Sequence, residues 1–170
     1  LQALLKNPLA ESYTLGISGG ASLGICIGVI LGSYLGIPLF GFLGGIISTV
    51  IIVVAGSKKK LSNPALILLG VILNFIFTSF VLFLLAISGS EKFQQTFFWL
   101  IGDLSYFPHL LFKPVIFLIS GVSLLLFTFS KILDLISIGE EKARTLGVET
   151  ERMKKILFIL SSIITGCCVS

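Results

Sequence analysis

Between Tyr13 and Gly36 no residue carries a charge, and within that run Gly16, Gly20, Gly24, Gly28, Gly32 and Gly36 recur every four residues. A helix rising 1.5 Å per residue over this stretch covers roughly 30 Å or more, enough for the hydrocarbon core of a bilayer. Glycine at every fourth position makes a ridge along one face. It lets a neighbouring backbone come close in a solvent that gives apolar helices no hydrophobic reason to associate. The chain is therefore read as an all-α integral membrane protein, a polytopic bundle of transmembrane helices.

The remaining apolar runs extend this reading. Leu1 to Leu5 is the end of an earlier helix, stopped by Lys6-Asn7-Pro8 because proline removes a backbone donor and restricts the residue before it. The first complete span is expected over 13–36. Gly36-Ile37-Pro38 is then expected to form a tight turn into a second span over 39–56, where Gly41 and Gly45 continue the small-residue spacing. A third span over 63–87 has Pro64 in its first turn and Asn74 near its middle, an amide that either bonds to a neighbouring helix or lines a pathway. A fourth covers 112–130, led in by Lys113-Pro114, and a fifth covers 156–170, where the sequence stops in mid-run. The intervening 88–111 carries Glu91, Lys92, Trp99, Asp103, Tyr106 and His109, and its Phe97-Phe98-Trp99 cluster suits an interfacial belt or a short helix lying partly in the membrane.

A mean hydropathy of +1.10, with 55% hydrophobic and 12% charged residues, exceeds what a soluble domain of this length needs for its core. A soluble enzyme is excluded, and nucleic acid is not an expected partner. The net charge of +4 carries less information than where the charges fall. Lys6, Lys58, Lys59, Lys60, Lys131, Lys142, Arg144, Arg152, Lys154 and Lys155 share one side, leaving Lys92 and Lys113 of the twelve basic residues for the other. The basic side is cytoplasmic by the positive-inside rule, and four complete crossings return the chain to it. Cys26, Cys167 and Cys168 have no metal-type spacing with His109, so they are read as small buried hydrophobes and no metal site is expected. The chain begins at Leu1 with no basic n-region and cleavage site, and a fragment is expected.

The cytoplasmic segment 131–155 is a charged island between apolar runs. Gly139 is expected to break the preceding helix, Glu140 and Glu141 place negative charge where a helix N-terminus favours it, and Gly147 suits a left-handed cap. About two turns of helix are expected between the glycines, with Glu151 and Lys155 forming an i,i+4 pair beyond them.

At several places in order the sequence resembles the FecCD-type permeases of ATP-binding-cassette importers for iron-siderophores, haem and cobalamin. Leu1-Gln2, Asn7-Pro8-Leu9-Ala10-Glu11, Leu15-Gly16-Ile17-Ser18 and Gly20-Ala21 are similar to the signature entering the family's third helix. Leu69-Gly70 with Asn74 resembles its fifth helix, and Trp99 with Gly102 its external loop. Gly139-Glu140-Glu141, Ala143 and Leu146-Gly147-Val148 resemble its cytoplasmic coupling segment. The family usually has proline where Ser12 stands, and its Gly-Leu-x-x-Pro-His motif is not reached by Ser170.

The resemblance implies a single transmembrane permease domain over 1–170 of the type II ABC importer permease kind, about half of a ten-helix subunit. Gly139, Glu140, Glu141, Ala143, Arg144, Leu146 and Gly147 would couple to a cytoplasmic ATPase dimer. Ser62, Asn63 and Pro64 would form the cytoplasmic gate at the foot of the fifth helix, and residues 93–102 would face an external substrate-binding protein or the substrate. A second permease subunit and membrane lipid complete the partners, in a bacterial or archaeal cytoplasmic membrane. No Walker-type phosphate loop is present, so ATP and Mg are expected on the ATPase and no cofactor on this subunit. The alternative, an ion-coupled secondary carrier, expects ionisable residues inside the spans, and the complete spans hold none except Lys113 at an edge. With cysteine placed at Lys142 of the full-length protein in intact cells, labelling is expected only from a membrane-permeant maleimide; reaction with an impermeant one would invert this topology.

Overall fold

The computed structural model describes residues 1–33, 35–59, 61–102 and 109–169. Lys60, Asp103, Tyr106 and the side chains of Lys58 and Lys59, all used above, lie outside the described residues. Among those described there are nine helices and no strand: α1 (Gln2–Leu5), α2 (Ile17–Ile30), α3 (Gly36–Lys59), α4 (Asn63–Ile87), α5 (Ser90–Ile101), α6 (His109–Thr128), α7 (Ser130–Ile138), α8 (Glu140–Thr145) and α9 (Thr150–Val169). Three of them, α3, α4 and α6, are long and apolar enough to cross a membrane.

The first span differs from expectation. It is a helix of only 14 residues, because Gly16 before it and Gly32 after it both take φ near 70°, the left-handed region that ends a right-handed helix. The four-residue glycine period therefore mixes two functions. Gly20, Gly24 and Gly28 face α3 in antiparallel register. A Cβ on Gly20 would lie 2.5 Å from the Gly44 carbonyl oxygen, one on Gly24 would overlap the Phe40 carbonyl, and one on Gly28 would lie 2.8 Å from Ile37 Cα. Gly16 and Gly32 bound the helix, Gly16 while also packing on α4, whereas a Cβ on Gly32 would meet nothing within 4 Å among the described residues. Gly36 and Pro38, expected in a turn, lie in the first turn of α3, where proline's missing donor has no intrahelical partner to lose.

The other side of α2 meets α4 in parallel register. A Cβ on Gly16 would lie 2.8 Å from the Gly70 carbonyl oxygen, one on Gly70 would lie 2.6 Å from Leu15 Cα, and Gly19 is covered by the Asn74 amide. Cys26 packs with Val81 and Leu85 further along the same pair. The turn entering α2 is fixed from outside: Ser48 Oγ, fully buried on α3, donates 2.8 Å to the Gly16 carbonyl. α9 packs on α3 through Gly166 and Gly45, whose Cβ position lies 3.5 Å from Gly166 Cα, and through Phe158 near Ile52. α5 lays Trp99 against Ile25, Val29 and Ile37, with Lys92 Nζ donating 2.8 Å to the Ile30 carbonyl at the C-terminus of α2, where a cation is favoured.

The fourth span also departs from expectation. α6 starts at His109, so Pro114 falls inside the helix, and it ends at Thr128, with Phe129 interrupting before α7. No residue of α6 is buried; Phe117 and Phe127 are 83% and 76% exposed. A helix apolar on all sides is made for lipid or for further protein. Of the cysteines only Cys26 is buried; Cys168 is exposed, contrary to the reading of all three as core.

Glycine removal should separate packing from intrinsic helix preference. Gly44→Ala, whose Cβ would overlap the Gly20 carbonyl, is expected to destabilise the detergent-solubilised full-length protein by about 1–3 kcal/mol. Gly121→Ala, mid-α6 with nothing within 4 Å among the described residues, is expected to be neutral or to stabilise by up to about 1 kcal/mol where that face meets lipid, and to destabilise where it meets further protein. Thermal unfolding measures both.

Candidate coupling elbow

α7, α8 and the start of α9 form a folded elbow beside the foot of α4. Gly139 separates α7 from α8 with φ 161° and ψ 134°, an extended conformation open to any residue, and the nearest atom to its Cβ position is 3.8 Å away. The break therefore does not require glycine's freedom. Gly147 does: at φ 85° it is left-handed, its N–H donates to the Arg144 carbonyl at 2.9 Å, and the Val148 N–H reaches back to Ala143 at 3.0 Å. These are the two bonds of a Schellman cap, and they turn the chain from α8 towards α9. α8 itself is six residues, shorter than the two turns expected, with Glu140 and Glu141 at its start.

The two glutamates face different surroundings. Lys154 on α9 donates to Glu140 Oε1 at 2.6 Å, and the two side chains are only 19% and 26% exposed respectively. The same ammonium lies 3.4 Å from Asn63 Oδ1 at the start of α4. Burial alone would raise the Glu140 carboxyl, but the Lys154 hydrogen bond and charge, with the charges of Lys6 and Arg144, outweigh it and hold it below the usual carboxylate range. Glu140 is thus an anion at neutral pH. Glu141 is exposed.

At the other end of α8, Arg144 Nε donates 2.9 Å to Thr150 Oγ1, and Nη2 lies 3.4 Å from Glu151 Oε1. Glu151 thus pairs with Arg144 rather than with Lys155, because it sits in the first turn of α9 facing back to α8. With side chains 56% and 72% exposed, this pair contributes about 0.5 kcal/mol, whereas the sheltered, charge-assisted Glu140–Lys154 bond contributes nearer 2 kcal/mol. Ala143 is fully buried between the two contacts. The outward surface carries Glu141, Lys142, Thr145 and Leu146, all exposed. Ile138 and Leu146 are 65% and 67% exposed.

Of the expected gate residues, Asn63 is the one drawn into this network. Ser62 caps α4 through its carbonyl, which accepts from the Leu66 N–H at 3.0 Å, and Pro64 lies in the first turn; both are exposed. A cavity of about 90 Å³ opens behind Lys154, lined by Leu4, Leu5, Ile52, Asn63, Leu66 and Phe158. Asn74 sits apart from the elbow, 8% exposed and turned into the α2 contact, and its Oδ1 has no hydrogen-bond partner. It faces Gly19 of α2. Among the described residues no cluster of His, Cys, Asp or Glu has metal-binding proximity. Sequence reasoning missed Lys154 and Ser48. Neither carries a local pattern, since each partner is more than a dozen residues away, Glu140 by 14 and Gly16 by 32.

Comparison with known proteins matches this arrangement along its whole length. The FecCD transport family profile covers residues 1–170. The chain is 33% identical over 177 residues to the vitamin B12 import system permease protein BtuC of Vibrio vulnificus, covering 100% of this chain and 52% of that protein. It is 34% identical over 187 residues to the uncharacterized ABC transporter permease protein YvrB of Bacillus subtilis, covering 99% and 50%. A solved transporter assigned to the metal-chelate ABC type, in an inward-facing conformation, superposes with a TM-score of 0.86 at 26% identity over 98% of this chain and 54% of that one. The chain thus spans about half the length of the relatives it matches, and it belongs to the FecCD transport family.

Proposed function

We propose that this chain is part of the membrane subunit of a binding-protein-dependent ABC importer carrying a bulky metal chelate, an iron-siderophore, haem or cobalamin, across a bacterial or archaeal cytoplasmic membrane. Family membership supports the importer. The relatives named for vitamin B12 import and the solved metal-chelate type transporter support the cargo class. In this reading the subunit pairs with a second permease subunit, receives cargo from an extracytoplasmic binding protein, and is driven by a separate ATPase dimer holding the ATP and Mg. The permease does no bond chemistry and holds no cofactor; it moves.

The observation that carries the coupling role is the two-sidedness of α8. Its inner side is clamped to α9 at both ends, at Glu140 and Arg144, over a buried Ala143. Its outer side offers Leu146 and the adjoining Ile138 to water, with Glu141 and Lys142 between them. Large exposed apolar anchors edged by charge, on a rigid turn, suit a protein partner. Contact force on such a surface passes into the transmembrane helices instead of bending the loop.

In the full-length subunit, Leu146→Asp combined with Glu141→Lys is expected to weaken association with the ATPase by about tenfold or more, with membrane insertion and thermal unfolding unchanged. Association measured in detergent checks this. Undiminished binding would remove α8 as the docking surface.

A further inference from the structure

One ammonium joins three helices at the elbow. Lys154 on α9 holds the first residue of α8, Glu140, at 2.6 Å and faces the first residue of α4, Asn63, at 3.4 Å, with its side chain 19% exposed. Two helix starts are a poor place for a cation, because their dipoles present positive charge there. Packing alone would be served better by an apolar side chain of similar length. An ammonium offers three donors at the end of a flexible stem, and it lies here within reach of two residues, Asn63 and Glu140, that stand more than seventy positions apart in the sequence. The second clamp on α8, from Arg144 to Thr150 and Glu151, reaches α9 only. The Glu140–Lys154 contact is therefore the one of the two that branches to α4.

We propose that Lys154 is a positioning residue that transmits displacement of α8 to the foot of α4, through its paired bonds to Glu140 and Asn63. The proposal rests on the reading of α8 as the surface driven by the ATPase and adds the connection from there to α4, at whose foot the family resemblance places the gate. The close contacts of α4 with α2 at Gly70 and Asn74 lie seven and eleven residues above Asn63, about 10 to 16 Å along the helix. Movement at the foot turns α4 about that contact. Asn63 acts here through its side-chain amide, which can also donate. An exchanged pair, Glu140→Lys with Lys154→Glu, therefore keeps both bonds with their directions reversed.

The test uses the full-length subunit assembled with its ATPase in lipid nanodiscs. Environment-sensitive labels on cysteines at exposed Lys142, in α8, or exposed Ser62, before α4, are followed on adding Mg-ATP. With the native network both labels are expected to respond. In Lys154→Met and in Asn63→Ala the response at Lys142 is expected to persist while that at Ser62 falls by about fivefold or more; the exchanged pair is expected to recover it. Asn63→Ala leaves the α8 clamp intact, so it reports even if Lys154→Met does not fold. If Lys142 responds and Ser62 responds fully in both single variants, the link is overturned while the coupling reading stands. If Lys142 gives no response in the native assembly, the coupling reading falls and the link with it. A Ser62 response that the exchanged pair fails to recover would also overturn the link, since a general loss of packing explains it equally.

Discussion

Backbone-to-backbone contact between α2 and α3 is the constraint on which the rest of the bundle is hung. Lipid tails are as apolar as leucine, so these helices gain nothing simply by hiding from their surroundings, and association must come from close dispersion contact and interhelical hydrogen bonds. Gly20 against Gly44, Gly24 against Phe40 and Gly28 against Ile37 bring the two backbones to a separation that any side chain would forbid. With that pair fixed, α2 offers its opposite side to α4 through Gly16 and Gly19, and α3 offers Gly45 to α9. The elements that carry the elbow, α9 and α4, are thus both anchored to one rigid hairpin, α4 above its foot at Gly70 and Asn74.

The elbow follows a different physical rule. It lies where water competes for every polar group, and exposed charge pairs contribute little there. Order comes from the few groups that are sheltered: Ala143, the Glu140–Lys154 contact, and the Thr150 hydroxyl under Arg144. The charged residues of α8 divide accordingly into those spent on holding the helix and those left facing outward. Glu140 and Glu141 are neighbours in sequence with identical chemistry and have opposite assignments.

The fold class was legible because it rests on period and length, which are local. Pro64 and Asn63 mark the start of α4, and Gly147 closes α8, for reasons confined to a few residues: a fixed φ, a missing donor, a left-handed cap. The extent of α2 was not legible, since a glycine that packs and a glycine that ends a helix are the same letter at the same spacing. The start of α6 was misread because Pro114 is tolerated within the helix instead of preceding it. In the candidate site, the location of the island and its exposed charges could be read from the sequence. Its internal wiring could not: Glu151 has Lys155 at helical spacing on its own helix but pairs with Arg144, and Asn63 finds Lys154 across 91 residues. Such pairings depend on how the bundle closes.

The brevity of α2 has its own effect on the surrounding lipid. Fourteen residues reach about 21 Å, short of the hydrocarbon thickness by roughly a third, and a bare helix of that size would pinch the bilayer or tilt its neighbours to relieve hydrophobic mismatch. Here the deficit is filled by protein: the Gly16 carbonyl, which already accepts the first helical bond of α2 from the Gly20 N–H at 3.0 Å, takes the Ser48 hydroxyl on its second lone pair inside the bundle. The end of the turn that enters α2, Leu15 and Gly16, is thereby kept out of contact with fatty tails, and the short helix has no need to thin the leaflet around it.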